Sequence, residues 1–245
     1  MIQLSVMELF IIRHGQSTNN ALPDQSDRVV DPPLTELGLR QAELVAKHLA
    51  NGIDHETQAI EGQPADAPLN GMRISRLYCS AMLRALQTAQ IVGAALGLQP
   101  HVWVDIHEEG GIWLDHGEPA GICGYPGMTR AEIAKQFPEC VLPDELAEEG
   151  WWRYGREEWT PFLERAARVA AALRQQAACD ERIALVTHGG FSAYLLRALV
   201  NAPMDANVFF HHENTGVTRV RFRADGRVSI RYQNRVDHLP ADLVT

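Results

Sequence analysis

The sequence predicts an α/β fold of three layers, with a mostly parallel central sheet, an antiparallel edge and helices on both faces. Three observations support this prediction. Short apolar runs typical of buried strands alternate with amphipathic segments of helical period. The dipeptide Asp225-Gly226 separates two β-branched runs near the end of the chain, which predicts a hairpin at a sheet edge. The 245 residues fit one undivided α/β domain, 1–245.

The individual elements follow from local signals. Thr35 is a suitable N-cap for the first helix, Ser80 for the second, and Gly97 is a suitable terminator for the second. A third helix carries apolar residues at helical spacing from Phe162 to Leu173. The predicted strands are 9–13, 73–79, 102–106 and 183–187, with hairpin strands 217–222 and 228–232, and the predicted helices are about 36–51, 81–96, 161–178 and 190–200.

Two segments interrupt this alternation. Residues 52–71 are rich in Gly, Pro, Asp and Ala and predict a surface loop. Residues 111–160 predict a helical and loop insertion over the site, and they contain four of the five tryptophans, namely Trp113, Trp151, Trp152 and Trp159. These rings either form a substrate pocket or pack within the insertion. The residues that suggest a specificity surface are Tyr125, Arg130, Trp151, Arg153 and Arg156.

Composition narrows the function classes. A formal net charge of −9 disfavours nucleic-acid binding, so an anionic ligand must meet a local cluster of cations. The apolar runs are far shorter than the ~18 residues of a membrane span, so no membrane partner is expected. Four scattered cysteines without a CxxC pair indicate reduced thiols, and no secretory signal is evident, so we expect a cytoplasmic protein. If the chain self-associates, a homodimer is the expected form.

The feature richest in chemistry is Arg13-His14-Gly15, which directly follows the first predicted strand. Ligands of open α/β sheets bind at the carboxyl ends of the strands. Arg binds phosphate through two parallel hydrogen bonds, His can act as a nucleophile, and Gly lets backbone N–H groups approach an anion. Chemistry on a phosphoryl group at this sheet edge is the hypothesis that these residues favour.

Four motifs carry a resemblance to the histidine phosphatase superfamily, the phosphoglycerate mutase-like proteins. They are Arg13-His14-Gly15-Gln16-Ser17-Thr18-Asn19-Asn20, Leu34-Thr35-Glu36-Leu37-Gly38-Leu39-Arg40-Gln41-Ala42, Ser80-Ala81-Met82-Leu83-Arg84-Ala85-Leu86-Gln87-Thr88-Ala89 and Val186-Thr187-His188-Gly189-Gly190. They occur in the order found in that family and span most of the chain. The resemblance implies one phosphoglycerate mutase-like domain of the phosphatase branch.

The resemblance also implies roles for named residues. His14 is the expected nucleophile, attacking through one ring nitrogen while an acceptor holds the N–H of the other. Arg13 and Arg84 are the expected phosphate clamp, and His188, which follows the fourth strand, is expected at the same sheet edge. The expected additional contacts to substrate come from Gln16, Ser17, Asn20 and Gly189.

The general acid is expected in His107-Glu108-Glu109-Gly110-Gly111, after the third strand. We predict Glu108 as the acid and later the base, with Glu109 as its rival. The stretch lacks the paired histidines of a HExxH zinc motif, and a histidine nucleophile needs no metal. The predicted enzyme therefore has no metal and no cofactor. The later stretch His211–Gly216 is interpreted as a structural turn, with a place in the site wall as the alternative.

The sequence thus predicts a phosphatase that hydrolyses a small phosphomonoester through phosphorylated His14. Two alternatives remain open. A phosphoglycerate mutase-type transfer would return the phosphoryl group to substrate, although the Glu-Arg-His-Tyr-Gly stretch of mutases is absent after the third strand. A catalytically silent protein would bind a phosphorylated ligand without turnover.

Overall fold

The computed structural model describes residues 6–53, 71–203 and 207–245. The surface loop expected at 52–71 falls mainly on residues 54–70, which lie outside the described ranges.

A six-stranded sheet forms the centre of the protein, in the order β3-β2-β6-β1-β7-β8. Strands β1, β2, β3 and β6 run parallel, whereas β7 is antiparallel to β1 and β8 is antiparallel to β7. The mostly parallel sheet with an antiparallel edge is therefore confirmed. The strands are β1 (Val6–Arg13), β2 (Arg76–Cys79), β3 (Pro100–Val102), β4 (Trp113–Asp115), β5 (Ile122–Gly124), β6 (Arg182–Thr187), β7 (Val217–Arg223) and β8 (Val228–Arg235).

Helices cover both faces of the sheet. Side chains of β1 alternate between the two cores: Phe10 and Ile12 pack towards α1 and α2, and Leu9 and Ile11 pack towards α4 and α5. Because β1 is buried on both faces, its sequence is a continuous apolar run without alternation. The helices are α1 (Glu36–Asn51), α2 (Leu83–Leu96), α3 (Arg130–Gln136), α4 (Trp159–Gln175) and α5 (Gly189–Leu199), none of which is long and apolar enough to cross a membrane.

The expected N-cap of α1 and the expected terminator of α2 are confirmed, whereas the expected N-cap of α2 is wrong. Thr35 caps α1 by accepting from the Gly38 N–H, and Gly97 ends α2 in the left-handed conformation at φ 66°. The predicted cap Ser80 is wrong, because α2 begins at Leu83 and its N-cap residue is Met82. Ser80 instead lies in the turn between β2 and α2, which leaves its hydroxyl available to the site.

The third strand also differs from the prediction. It spans Pro100–Val102, and residues Val104–Ile106 form a 3₁₀ turn instead of continuing the strand. The apolar run 102–106 is therefore a strand end followed by a turn, two structures that a short apolar pattern does not separate.

The segment 111–160 contains a hairpin, β4 and β5, that the sequence did not suggest, together with α3 and loops. Trp151 and Trp152 are buried, with rings 5.3 Å and 4.9 Å from the ring of His107. These two indoles therefore pack within the protein beneath the acidic stretch, in agreement with the packing alternative.

Candidate active site

A cavity of about 520 Å³ opens at the carboxyl ends of the parallel strands. The end of β1 is paired with the end of β6, Arg13 opposite Thr187, so the residues that follow both strands emerge side by side. Main contributors from the sequence motifs are Arg13, His14, Ser17, Asn20, Arg84, Glu108, Glu109 and Gly189.

His14 is the most constrained of these side chains. It is 2% exposed, its Nδ1 lies 2.7 Å from the carbonyl oxygen of Gly15, and its Nε2 lies 3.0 Å from Nε of Arg84. Because a carbonyl only accepts and a guanidinium only donates, Nδ1 must carry the proton and Nε2 the lone pair. Burial lowers the pKa of His14 well below its usual value, and the charges of Arg84 and Arg13 lower it further. The ring is therefore a neutral imidazole whose unprotonated nitrogen is Nε2.

Arg84 is the second residue of α2. Besides His14 it faces Asp31, with 3.7 Å between Nη1 and the Oδ1 oxygen of that carboxylate. Asp31 in turn accepts from the backbone N–H of Leu83 at 3.0 Å. The cation is thus held between an acid on one side and the expected nucleophile on the other.

Arg13 presents the second guanidinium. One of its Nη groups donates to the carbonyl of His212 at 2.7 Å, while its buried Nε finds no hydrogen-bond partner among the residues that the structure describes. A buried donor without a partner costs free energy unless a ligand satisfies it. The orphaned Nε therefore marks a place for an acceptor such as a phosphoryl oxygen.

His188 follows β6, and its ring centroid lies 5.1 Å from that of His14. Its Nε2 is 2.8 Å from the hydroxyl of Ser80, and its buried Nδ1 has no hydrogen-bond partner within the described part of the chain. Burial lowers the pKa of His188 well below its usual value, with Arg84 the next cause. The expected juxtaposition of the two histidines at one sheet edge is thus observed, and Ser80 fixes the orientation of the second ring.

Glu108 lies at the N-terminus of α5. Its carboxylate accepts from the backbone N–H groups of Phe191 at 2.8 Å, Gly190 at 3.2 Å and Glu109 at 3.0 Å. Helix N-termini favour anions, so these amides define the position of the carboxylate. The rival Glu109 also lines the cavity. Its carboxylate lies 3.8 Å from the guanidinium of Arg156, and both side chains of this pair are exposed. Burial and then Glu108 raise the pKa of Glu109.

A buried ion pair supports the turn that carries Glu108. Arg165, 2% exposed, binds both oxygens of Glu157 at 2.9 and 2.6 Å and donates to the carbonyls of Asp105 and His107 at 2.8 and 2.9 Å. Arg165 comes from α4, and Glu157 comes from the segment before it. The expected insertion therefore contributes support beneath the acidic turn, and it reaches the cavity through residues 111–113.

The remaining predicted contacts divide into two groups. Ser17, Asn20 and Gly189 line the cavity, and Asn20 Oδ1 accepts from the Ser17 hydroxyl at 3.0 Å. Gln16 is not among the residues that line the cavity. Its Oε1 accepts from the Thr35 hydroxyl at 2.9 Å, and this bond joins the loop after β1 to the start of α1. For Gln16 the geometry indicates a structural contact in place of the expected substrate contact.

Several cavity residues were missed by the sequence reasoning. Arg28 and Asp31 belong to a polar stretch without periodicity, so no spacing singles them out. His211 and His212 line the cavity as well, in agreement with the site-wall alternative for the stretch that they begin. Within residues 6–53, 71–203 and 207–245 no group of three or more His, Cys, Asp or Glu side chains is placed to hold a metal ion.

Two solved structures of similar fold carry the name of a phosphatase. The protein matches a putative alpha-ribazole-5'-P phosphatase from Escherichia coli with a TM-score of 0.60 at 18% identity, covering 94% of this chain and 96% of that chain. It matches phosphoserine phosphatase from Entamoeba histolytica with a TM-score of 0.57 at 19% identity, covering 96% and 100%. At these identities the likeness establishes the fold.

Sequence comparison places the chain in a family. The mitochondrial serine/threonine-protein phosphatase Pgam5 of Caenorhabditis elegans is 24% identical over 244 residues, 97% of this chain and 66% of that protein. This chain thus spans just under two thirds of that relative's length. A probable phosphoglycerate mutase, GpmB of Yersinia pestis, is 33% identical over 97 residues, 38% of this chain and 34% of that protein. The model of the histidine phosphatase superfamily (branch 1) matches residues 9–59 and 63–235, and the chain belongs to that superfamily.

Proposed function

We propose that the protein is a phosphatase that hydrolyses a small phosphomonoester through a phosphohistidine on His14. The observation that carries the proposal is the state of the His14 ring: Nδ1–H is held by the Gly15 carbonyl, and the Nε2 lone pair meets the guanidinium of Arg84. A phosphoryl group bound by that guanidinium lies directly before the nucleophilic nitrogen.

Binding places the phosphoryl oxygens between two cations. Arg84 exchanges its hydrogen bond to His14 for bonds to the phosphoryl group, and the orphaned Nε of Arg13 donates to a second oxygen. His188 supplies a further unpartnered nitrogen, Nδ1, beside the His14 ring. Preorganised donors of this kind act most strongly where charge develops in the transition state.

The chemistry then proceeds in two steps. In the first, Nε2 of His14 forms a bond to phosphorus, the bond to the leaving oxygen breaks, and Glu108 delivers a proton to that oxygen. Glu108 receives this proton from the substrate, which binds as a monoprotonated phosphate ester. Before substrate binds, the Glu108 carboxylate accepts three amide hydrogen bonds. In the second, Glu108 takes a proton from water, the water oxygen bonds to phosphorus, and the bond to Nε2 breaks.

Phosphate release from a panel of phosphomonoesters in the presence of EDTA tests this function. We expect release by the wild type and none by His14→Ala, and we expect rapid quenching under alkaline conditions to trap acid-labile phosphate on the wild type alone. Glu108→Gln should slow release far more than Glu109→Gln, the matched change one residue away. Loss of release on chelation would overturn the metal-independent mechanism, and equal release by His14→Ala would overturn the nucleophile.

A second candidate, phosphoglycerate mutase-type transfer, is favoured by the similarity to the probable mutase GpmB over 97 residues. A mutase shields its phosphohistidine from water and returns the group to substrate. Stimulation by a bisphosphorylated primer with little free phosphate would support it. Tight binding of phosphorylated ligands without turnover or trapped phosphate would support a silent binding protein.

The proposed setting is the cytoplasm, with the protein acting alone or as a homodimer on a small phosphorylated substrate. All four cysteines are free thiols, as a reducing compartment would keep them. Fractionation and light scattering of the purified full chain would test the location and the assembly respectively.

A further inference from the structure

Asp31 is an acidic side chain of the cavity to which the mechanism above gives no role. It lies in the loop before α1, lines the cavity, and is 12% exposed. Its Oδ1 accepts from the Leu83 N–H at 3.0 Å and faces Arg84 at 3.7 Å. Its Oδ2 is buried and has no hydrogen-bond partner among the described residues. A carboxylate in a site for anions opposes ligand binding, so its presence there needs a reason.

The backbone at Asp31 is also unusual. Its φ is 44°, in the left-handed region that favours glycine and that aspartate and asparagine tolerate better than other residues. Such a conformation costs of order 1 kcal/mol and persists where surrounding structure imposes it. The loop therefore holds this carboxylate against the start of α2 despite the strain.

The contacts form a chain that ends at the nucleophile. Asp31 faces Nη1 of Arg84, and Nε of the same guanidinium donates to Nε2 of His14 at 3.0 Å. Because a guanidinium is planar, an acid that holds one nitrogen also fixes the direction in which the others point. We propose that Asp31 is a positioning residue that aims Arg84 at the phosphoryl group and that its negative charge weakens the grip of the site on anions, so that product phosphate can leave. The role of Asp31 in the release of product phosphate rests on the proposed function, whereas its effect on anion binding does not.

The electrostatics agree with this arrangement. Burial raises the pKa of Asp31 to about 6, and Arg84 opposes part of that rise. Other charges around Arg84 are those of Glu108, Arg28 and Arg13. A bound dianion disfavours a nearby carboxylate, so the protonated form of Asp31 must bind anions more tightly than the ionised form.

A purely structural role would leave a different signature. If Asp31 served only to accept from Leu83 N–H and to shape the loop, then Asn would replace it without consequence. Asn has the same acceptor oxygen, tolerates positive φ and lacks only the charge. Asp31→Asn therefore separates charge from shape.

The test measures binding of sulfate to the full-length protein by calorimetry, because sulfate remains a dianion between pH 5 and 8. We expect Asp31→Asn to bind sulfate about tenfold more tightly than the wild type at pH 8, the scale of one charge interaction at a partly buried site. At pH 5 the wild-type carboxyl is protonated and the ratio should fall to near one. The ratio cancels contributions of other ionisable groups of the cavity that are the same in both proteins, such as Glu109.

Asp27→Asn is the matched control, since Asp27 is an exposed acid of the same loop and its change alters the net charge equally. It should bind sulfate like the wild type at both pH values. A ratio of one at pH 8 for folded Asp31→Asn, or a ratio that does not change with pH, would overturn the proposal. If Asp31→Asn fails to fold, the same pH series is measured on the wild type and on Glu109→Gln. We expect the sulfate affinity of both proteins to fall about tenfold as the pH rises above 6. A fall that is absent from Glu109→Gln would overturn the proposal.

Turnover gives an independent readout. With a phosphomonoester substrate, Asp31→Asn should lower both KM and kcat, because substrate and product phosphate are both held more tightly. A structural defect would instead lower kcat and raise KM or leave it unchanged, which would contradict the positioning role. Absence of turnover in the wild type would overturn the proposed phosphatase function while leaving the sulfate result interpretable.

Discussion

Nε of Arg84 donates to Nε2 of His14 at 3.0 Å, so the cation that we propose to bind phosphate occupies the lone pair of the proposed nucleophile. The hydrogen bond must break before that nitrogen can attack phosphorus. Phosphoryl oxygens are the acceptors that can replace it, because charged acceptors bind a guanidinium more strongly than a neutral ring does. In the proposed mechanism, substrate binding therefore frees the His14 nitrogen at the position where it is to attack.

Replacing Arg84 by Lys should lower kcat/KM by about 100-fold, the usual cost of one preorganised donor to a developing charge. Lysine keeps the positive charge but cannot direct parallel hydrogen bonds to two phosphoryl oxygens from one plane. Initial rates on the best ester of the panel would measure the loss. Arg40→Lys, at an exposed position of α1, is the matched control and should behave as the wild type. A kcat/KM within twofold of wild type for Arg84→Lys would show that charge alone suffices.

The protonation state of His14 gives a second prediction. An imidazole attacks only when unprotonated, and burial together with Arg84 and Arg13 lowers its pKa well below the usual 6.5. The nucleophile should therefore remain neutral as the pH falls through 6.5, so protonation of His14 does not reduce activity in that range. Spectra of protein labelled with ¹⁵N in its histidines, titrated from pH 8 to 5, should show constant shifts for the signal that His14→Gln removes. Arg84→Gln should raise that pKa, since it removes one of the cations that lower it. A midpoint near 6.5 in the wild type would contradict the prediction.

The sequence alone predicted the central sheet and most of the candidate residues that line the cavity, for physical reasons that individual residues illustrate. His14 and His188 follow apolar runs that are buried on both faces, and parallel strands bring their carboxyl ends to one edge. The pattern that predicts the strands therefore also predicts that the two rings meet. Thr35 caps α1 through its own local hydrogen bond, a signal contained within a few residues.

The rest depends on contacts between distant residues. Asp31 reaches Leu83 across the fold, and nothing in the loop sequence shows that partner. Serine is a residue type that often caps helices, yet the hydroxyl of Ser80 lies 2.8 Å from Nε2 of His188, a residue far along the chain. The three-residue strands β4 and β5 are too short to produce a period-2 pattern. In each of these cases, contacts between residues distant in sequence determine the structure, and the local sequence pattern either suggests a different structure or suggests none.

The ion pair beneath the acidic turn provides a third prediction. Arg165→Met removes the arginine partner of the buried Glu157 side chain and leaves it the His107 ring at 3.7 Å, and breaking a buried pair from one side costs about 3–5 kcal/mol of unfolding free energy. The double variant Arg165→Met, Glu157→Leu removes both charges and should recover most of that loss. Urea unfolding at pH 7 of the wild type, both single variants and the double variant completes the cycle.

That cycle also has a functional readout. Arg165 donates to the carbonyls of Asp105 and His107, which fixes the turn before Glu108. The double variant should therefore be stable yet slow, with a lower kcat. A stable double variant with wild-type kcat would show that Arg165 does not help to place the acid.

Two adjacent glycines at the start of α5 allow the position of Glu108 to be tested without touching its carboxylate. A Cβ at Gly190 would lie 2.7 Å from Oε1 of Glu108, closer than real Cβ atoms come to their neighbours, whereas a Cβ at Gly189 would lie 3.4 Å from Nε of Arg13, an ordinary contact. Gly190→Ala should therefore push the carboxylate off its amide donors and lower kcat by at least about tenfold, the scale of general acid–base catalysis lost in part. Stability should change little, because the displaced atoms are the far end of a flexible side chain. Gly189→Ala adds the same methyl group one residue earlier, beside Nε of Arg13 and away from Glu108, so we expect its effect in KM and a kcat close to that of the wild type. Equal kcat for the two alanine variants would mean that the observed position of Glu108 is not the one in which it acts.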